Sequence, residues 1–281
     1  MPGSSTQAAT SNHTTRPFLK WAGNKYRILS RIIPHLPPGK RLVEPFAGSA
    51  ALFLNTEYQQ FLLSDNNPDL INLYNFLKRE GADFIRYCKR FFSGKYNNPD
   101  SYYEIRDKFN HTRNKRQKAA LFIYLNRHGY NGLCRYNASG GFNVPFGRYK
   151  HPHFPEKQMQ AFHQKSQRAI FNLCSFEETM RQARPGDVIY CDPPYVPLST
   201  SANFTTYSSA GFDLQQQQQL ATLAEQTAQR GIPVLISNHN TKFTRRAYLN
   251  ATRLDKFKVQ RSISCNGQKR EHAGELLALY L

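Results

Sequence analysis

The run Asp187-Val188-Ile189-Tyr190-Cys191 leads straight into Asp192-Pro193-Pro194-Tyr195, and no other junction in the chain constrains its fold as strongly. A short apolar run of this kind reads as a buried strand. Two successive prolines supply no N–H and hold the residues before them extended, so the strand stops there with stiff, unpaired carbonyls at its carboxyl end. In an open α/β sheet that edge is where ligands bind. The Asp192 carboxylate and the Pro193 carbonyl can each accept one hydrogen of an NH₂ group, and Tyr195 can stack on a ring that bears it. An exocyclic base amine is a poor nucleophile because its lone pair is delocalised into the ring. Two acceptors that draw its hydrogens out of plane localise the pair for attack. The stretch therefore reads as a receptor for a flat group carrying an amine, against the plainer alternative of a turn with a solvated Asp.

Upstream, Arg41-Leu42-Val43-Glu44-Pro45-Phe46, Ala47-Gly48-Ser49-Ala50-Ala51 and Leu52-Phe53-Leu54-Asn55 read as strand, tight small-residue turn and helix, the opening of a Rossmann-like sheet. A second strand, Phe61-Leu62-Leu63-Ser64-Asp65, ends in an acid that can accept hydrogen bonds from both hydroxyls of a ribose. No Gly-x-Gly-x-x-Gly is present, so a nucleoside without phosphates fits this turn better than a pyrophosphate. Further strands are expected at Ala169–Phe176, Ile232–Asn238, Lys256–Ser264 and Glu275–Tyr280, the last two as an antiparallel hairpin around Asn266-Gly267. Leu214–Arg230 reads as a helix, and the Ser/Thr-rich loop from Pro197 to Tyr207 as a lid. The β-α alternation predicts an α/β sheet with a helical insertion after its second strand.

Within the insertion, residues 82–128 read as helices, and Ala119–Leu125 is apolar on all sides, which marks a buried one. Residues 129–150 carry Asn-Gly and Gly-Gly turns and read as a projecting hairpin or loop. Its Arg, Asn, Tyr, Leu and Pro side chains suit base readout and wedging between base steps, although a solvated surface loop would look similar. The overall charge favours the first reading. Thirty-eight Lys and Arg against nineteen Asp and Glu leave +19, which implies a polyanionic partner. No stretch approaches a membrane span. Five scattered cysteines, Cys88, Cys134, Cys174, Cys191 and Cys265, imply reduced thiols and no zinc site. Residues 1–15 read as a disordered leader without the pattern of a secretory signal.

Phe18-Leu19-Lys20-Trp21-Ala22-Gly23, Val43-Glu44-Pro45-Phe46, Gly129-Tyr130-Asn131-Gly132-Leu133-Cys134-Arg135-Tyr136-Asn137, Phe142-Asn143-Val144-Pro145-Phe146-Gly147-Arg148-Tyr149 and Asp192-Pro193-Pro194-Tyr195 together closely resemble the Dam family of DNA adenine-N6 methyltransferases. The resemblance runs from about Phe18 to Tyr280, in the family's α-group order of cofactor motifs, recognition insertion and catalytic tetrapeptide. It implies a Rossmann-like methyltransferase sheet with a helical and hairpin recognition insertion, S-adenosyl-L-methionine as methyl donor, GATC in double-stranded DNA as target, and base flipping. Catalysis would fall to Asp192, Pro193, Pro194 and Tyr195, and cofactor binding to Trp21, Lys25, Phe46, Gly48, Asp65, Ser175, Phe176 and Asp192. On the DNA, Lys20 and Tyr149 would meet the first guanine and Arg135 the guanine opposite the third-position pyrimidine. Leu133 and Pro145 would meet apolar base edges, Tyr130 would intercalate and Asn131 would help hold the displaced strand. Arg127, Asn137, Asn143 and Arg148 would lie nearer phosphates.

One residue departs from the family's Phe-x-Gly-x-Gly turn: Ala50 stands at the second glycine, and since Ala tolerates a helix start the expected effect is small. The implied division is 16–66 with 167–281 as catalytic domain and 67–166 as target-recognition domain, acting in the cytoplasm on the nucleoid without a metal or an obligate protein partner. The acceptor chemistry is shared with RNA adenine and DNA cytosine-N4 methyltransferases, and a DNA-binding regulator without catalysis is a rival of another class. The long basic insertion favours duplex DNA, and the intact Asp192 and Asp65 favour an enzyme.

Overall fold

The computed structural model describes residues 14–196, 212–259 and 273–281. Seven strands form one sheet: β1 (Arg41–Glu44), β2 (Gln60–Asp65), β3 (Ala169–Leu173), β4 (Asp187–Cys191), β5 (Val234–His239), β6 (Arg253–Val259) and β7 (Ala273–Tyr280). Their order is β3-β2-β1-β4-β5-β7-β6, the first five parallel and β7 antiparallel to both its neighbours. The α-helices among the described residues are α1 (Leu29–Ile32), α2 (Ala51–Asn55), α3 (Pro68–Glu80), α4 (Ala82–Lys89), α5 (Pro99–His111), α6 (Lys115–His128), α7 (Glu156–Ser166), α8 (Phe176–Arg181), α9 (Leu214–Gln229) and α10 (Lys242–Ala247).

Successive strand residues face opposite sides of the sheet, and here both sides are covered. Leu42, Phe61, Leu63, Val188, Tyr190 and Leu235 enter one core, which continues without a break into α3, α5, α6 and α7. Val43, Leu62, Ile189, Cys191, Val234 and Ile236 enter the other, with α8 and α9. The insertion therefore packs on the sheet itself. Asn67 caps α3 by accepting from the N–H groups of Asp69 and Leu70, with Pro68 in the first turn. Along its length α3 is bonded to β3, Lys78 Nζ donating to the Ala169 carbonyl at 2.7 Å and Asn75 Nδ2 to that of Phe171 at 3.3 Å. Helix α6 is buried continuously from Ala119 to Asn126, as its all-round apolar pattern predicts.

Chain order reverses between β1 and β4, which lie side by side at the centre of the sheet. Their carboxyl ends mark the position at which open α/β sheets receive ligands in a crevice. Two expectations shift. The strand at 169 ends at Leu173, because the Ser175 hydroxyl accepts from the N–H of Glu178 and starts α8 there. The supposed leader is tied down at its end, Thr15 N–H donating to Asn55 Oδ1 at 2.7 Å and Asn55 Nδ2 returning to the Thr15 carbonyl at 3.0 Å. The β6–β7 pairing is antiparallel as expected, while the Asn266-Gly267 turn and the Pro197–Tyr207 loop lie outside the described residues.

At the other end of the central pair, Arg41 grips the buried Asp187 through Nε at 2.8 Å and Nη2 at 2.6 Å, and Asp187 also accepts from the N–H of Arg184. Removing one partner of such a pair strands the other charge, at a cost of about 3–5 kcal/mol. Asp187→Ala is expected to lose that much in urea unfolding, while the apolar double variant Arg41→Met/Asp187→Leu loses much less; equal losses would contradict the account.

Candidate active site

Asp192 follows the last residue of β4, at the mouth of the crevice. Lys25 Nζ lies 2.6 Å from Asp192 Oδ1, donates to the Gly23 carbonyl at 2.6 Å, and sits 4.3 Å from the centre of the Tyr195 ring. Ser237, on β5, donates to Asp192 Oδ1 at 3.2 Å. Burial pushes the Asp192 carboxyl above its ordinary range, and the Lys25 ammonium and the Ser237 hydroxyl pull against it. The Pro194 carbonyl is taken by Gln217 Nε2 at 2.7 Å, whereas among the described residues no hydrogen bond is made to that of Pro193. Tyr195 is oriented from both sides: its hydroxyl donates to Glu275 Oε2 at 2.7 Å, and its ring meets His239 edge-on at 4.5 Å. The arrangement holds an N–H donor between a carboxylate, a carbonyl and an aromatic face.

The other half of the crevice lies at the ends of β1 and β2. Both Asp65 oxygens accept from backbone, Oδ2 from Gly48 N–H at 3.1 Å and Oδ1 from Asn67 N–H at 2.9 Å, which fixes the carboxylate at the end of β2. Gly48 has φ +45°, and a Cβ there would come within 3.1 Å of the Trp21 indole, so the indole lies flush on the turn. Phe46 stacks on Phe176 with ring centres 5.5 Å apart, forming an apolar wall, while the Ser175 side chain is engaged as the α8 cap. Glu44, buried at the end of β1, leaves Oε1 without a hydrogen-bond partner. A backbone-held acid, a flat indole, an aromatic wall and a buried oxygen without a partner fit a nucleoside. Ala50 overturns the expectation attached to it: its φ of +58° and ψ of 35° are left-handed, so the residue is strained by about 1–2 kcal/mol relative to glycine-like freedom and is no ordinary helix start.

The hairpin of residues 129–150 is pinned by bridges between Gly129 and Phe146 and between Tyr136 and Phe142. Tyr130, Asn131, Arg135, Asn137, Pro145 and Arg148 are exposed on it, Asn131 and Arg148 in left-handed backbone, and Leu133 is half-buried. Lys20 Nζ lies 4.0 Å from the centre of the Tyr149 ring, which brings together the two residues assigned to one guanine. Asn143 Oδ1 accepts from Arg135 Nε at 2.7 Å and so aims the guanidinium. Asn137 Oδ1 accepts from Gly141 N–H at 2.8 Å and closes the hairpin tip. Arg127 is half-buried with its Nε unpartnered, and burial pushes it down to about 10.

A family model for D12 class N6 adenine-specific DNA methyltransferases matches residues 21–263, which span the crevice, the hairpin and the tetrapeptide. The chain belongs to this family. Named relatives agree: it is 52% identical to a DNA adenine methylase of Vibrio cholerae over 266 residues, covering 94% of this chain and 96% of the relative. It is 50% identical to the DNA adenine methylases of Escherichia coli K12 and Serratia marcescens, again over 94% of this chain and over 95% and 98% of theirs. The methyltransferase is thus an adenine-specific DNA-modifying enzyme with a DNA substrate. Among its described residues, no helix is long and apolar enough to cross a membrane and no cluster of His, Cys, Asp and Glu could hold a metal ion.

Several residues of the methyltransferase's site escaped the sequence reading. Asn126, buried in α6, accepts from Lys20 N–H at 2.9 Å and donates to the Lys20 carbonyl at 2.7 Å and the Gly132 carbonyl at 3.3 Å. Gly132 in turn abuts the Lys20 side chain so closely that a Cβ would overlap it. Asn126, His239 and Glu275 each act across long chain separations, and no local pattern marks them. Glu44 is raised to about 8, by burial first, with Asp192 adding to the shift and Lys165 opposing it. The folded protein thus keeps a proton that the unfolded chain, titrating near 4.5, has already released, and stability drains as pH rises between those values. Calorimetric melting of Glu44→Gln should gain on the parent steadily from pH 5 to pH 8; an offset independent of pH would contradict the assignment.

Proposed function

We propose that the protein transfers a methyl group from S-adenosyl-L-methionine to adenine N6 within GATC in double-stranded DNA, after the base has swung out of the helix. One observation carries the reading: Asp192 and Tyr195 already hold an amine, that of Lys25, at 2.6 Å from the carboxylate and over the ring. A flipped adenine presents its N6 hydrogens to Asp192 and to the Pro193 carbonyl, with its ring on Tyr195, and Lys25 gives way toward the cofactor. Flipping costs a few kcal/mol, which an exposed Tyr130 offsets by filling the gap. When bound, the cofactor supplies an electrophilic methyl on a sulfonium whose C–S electron pair departs with sulfur. Asp192 and Pro193 draw the amine hydrogens so that its nitrogen pair points at that methyl, and Asp192 stabilises the positive charge that grows on nitrogen until a proton passes to water.

Residues 16–66 and 167–281 serve in this scheme as the catalytic domain and 67–166 as the recognition domain, at work on the nucleoid in the cytoplasm. Asp65, Trp21, Phe46, Gly48 and Phe176 form the nucleoside side of the crevice. The third base of GATC is thymine, whose partner is adenine, so the guanine open to Arg135 is the one opposite the closing cytosine, and Lys20 with Tyr149 takes the first guanine. The family match supports adenine in DNA over RNA or cytosine substrates.

Asp192→Ala is expected to abolish labelled-methyl incorporation while leaving GATC duplex binding within about threefold of the parent, since flipping chemistry and groove readout use separate residues. Retained turnover would remove Asp192 from the chemistry. Arg135→Ala should cost about 1–3 kcal/mol at one base pair, read as loss of preference in competition between GATC and singly substituted duplexes. A uniform loss on all sequences would make Arg135 a phosphate contact.

A further inference from the structure

Asp65 ends β2, and the first turn of α3, which follows it at once, reaches across to the recognition hairpin through two side chains. Asn67 holds both parties. Its N–H donates to Asp65 Oδ1 at 2.9 Å, and its Nδ2 donates to Cys134 Sγ at 3.6 Å. Asp69, buried in the same turn, accepts the Tyr136 hydroxyl on Oδ2 at 2.9 Å and pairs with Lys118 Nζ through Oδ1 at 3.2 Å. Cys134 and Tyr136 flank Arg135, so their anchoring sets the base from which the exposed guanidinium projects. Tyr136 also faces Phe142 across the hairpin, ring centres 5.7 Å apart, at the second of the two bridges that pin it. Burial holds the Tyr136 phenol well above its ordinary range, so it remains a donor to Asp69.

We propose that Asn67, Asp69 and Tyr136 are positioning residues that couple the nucleoside pocket to the recognition hairpin, so that cofactor on Asp65 and duplex DNA on Arg135 each favour the other's binding. The inference rests on the proposed roles of Asp65 and Arg135. A ribose on Asp65 immobilises the turn from which the hairpin is hung, and the duplex then binds a loop whose ordering has already been met. Linkage makes the effect reciprocal: the factor by which cofactor tightens DNA is the factor by which DNA tightens cofactor, typically about 5–150. Fastening the loop this way also sharpens its readout, because a guanidinium on a loosened base reaches more than one base edge.

The test is titration calorimetry of the full-length protein with S-adenosylhomocysteine, alone and with a GATC duplex present. For the parent, duplex should lower the dissociation constant by at least about fivefold. Tyr136→Phe keeps the ring packed and removes only the hydroxyl; its coupling factor should fall to within about twofold of one, with affinity in the absence of DNA nearly unchanged. A residue with a purely structural role would lower the melting temperature and leave the factor intact. Asp69→Asn, which keeps an acceptor for Tyr136, should retain most of the coupling. If Tyr136→Phe does not fold, Cys134→Ala, which removes the Asn67 contact, carries the same test. An unchanged factor in the variant, or a parent factor of one, overturns the coupling. A parent that binds no S-adenosylhomocysteine at all overturns instead the reading of the crevice as a cofactor site.

Discussion

A carboxylate that burial disfavours, kept in place by one lysine, is the interaction on which this site turns. Asp192 stands where β4 must end, because two prolines follow it, and where the sheet reverses its order, because β1 and β4 are neighbours. Lys25, from the segment before β1, crosses the crevice to meet it. Burial raises the Asp192 carboxyl above its ordinary range, while the Lys25 ammonium and the Ser237 hydroxyl pull it back toward the charged form that accepts an N–H. Tyr195, braced by Glu275 and His239, gives that donor's ring a face to rest on.

What could be read in the chain beforehand was whatever a short window encodes. The buried strand before Asp192 shows in its apolar run, the acid at the end of β2 in its position, and helix α6 in seven apolar residues in succession. Hairpin 129–150 announced itself through Asn-Gly and Gly-Gly. What could not be read depends on partners far along the chain. Asn126 clamps Lys20 across 106 residues, and Glu275 meets Tyr195 across 80, and neither has a pattern of its own. Ala50 misled for another reason: its backbone adopts a region that propensity assigns to glycine, imposed by the turn between β1 and α2.

The recognition insertion and the sheet share one continuous core, and polar fasteners stitch their working edges together. Asn126 ties the Lys20-Trp21 segment to Gly132, while Asn67 and Asp69 tie the Asp65 turn to Cys134 and Tyr136. The proposed recognition and catalytic elements are thus packed and bonded to one another. The excess of basic residues supplies attraction to any duplex, and it falls to these few amides and carboxylates to hold the reading side chains in register.

The central claim is that Asp192, Pro193 and Tyr195 receive the target amine in the place Lys25 now fills. A crystal structure with a GATC duplex and a non-reactive cofactor analogue tests it directly. The account predicts adenine N6 within hydrogen-bond reach of Asp192 and the Pro193 carbonyl, its ring over Tyr195 and Lys25 displaced from the carboxylate. An adenine still stacked in the duplex, or extruded with its amine away from Asp192, would contradict it.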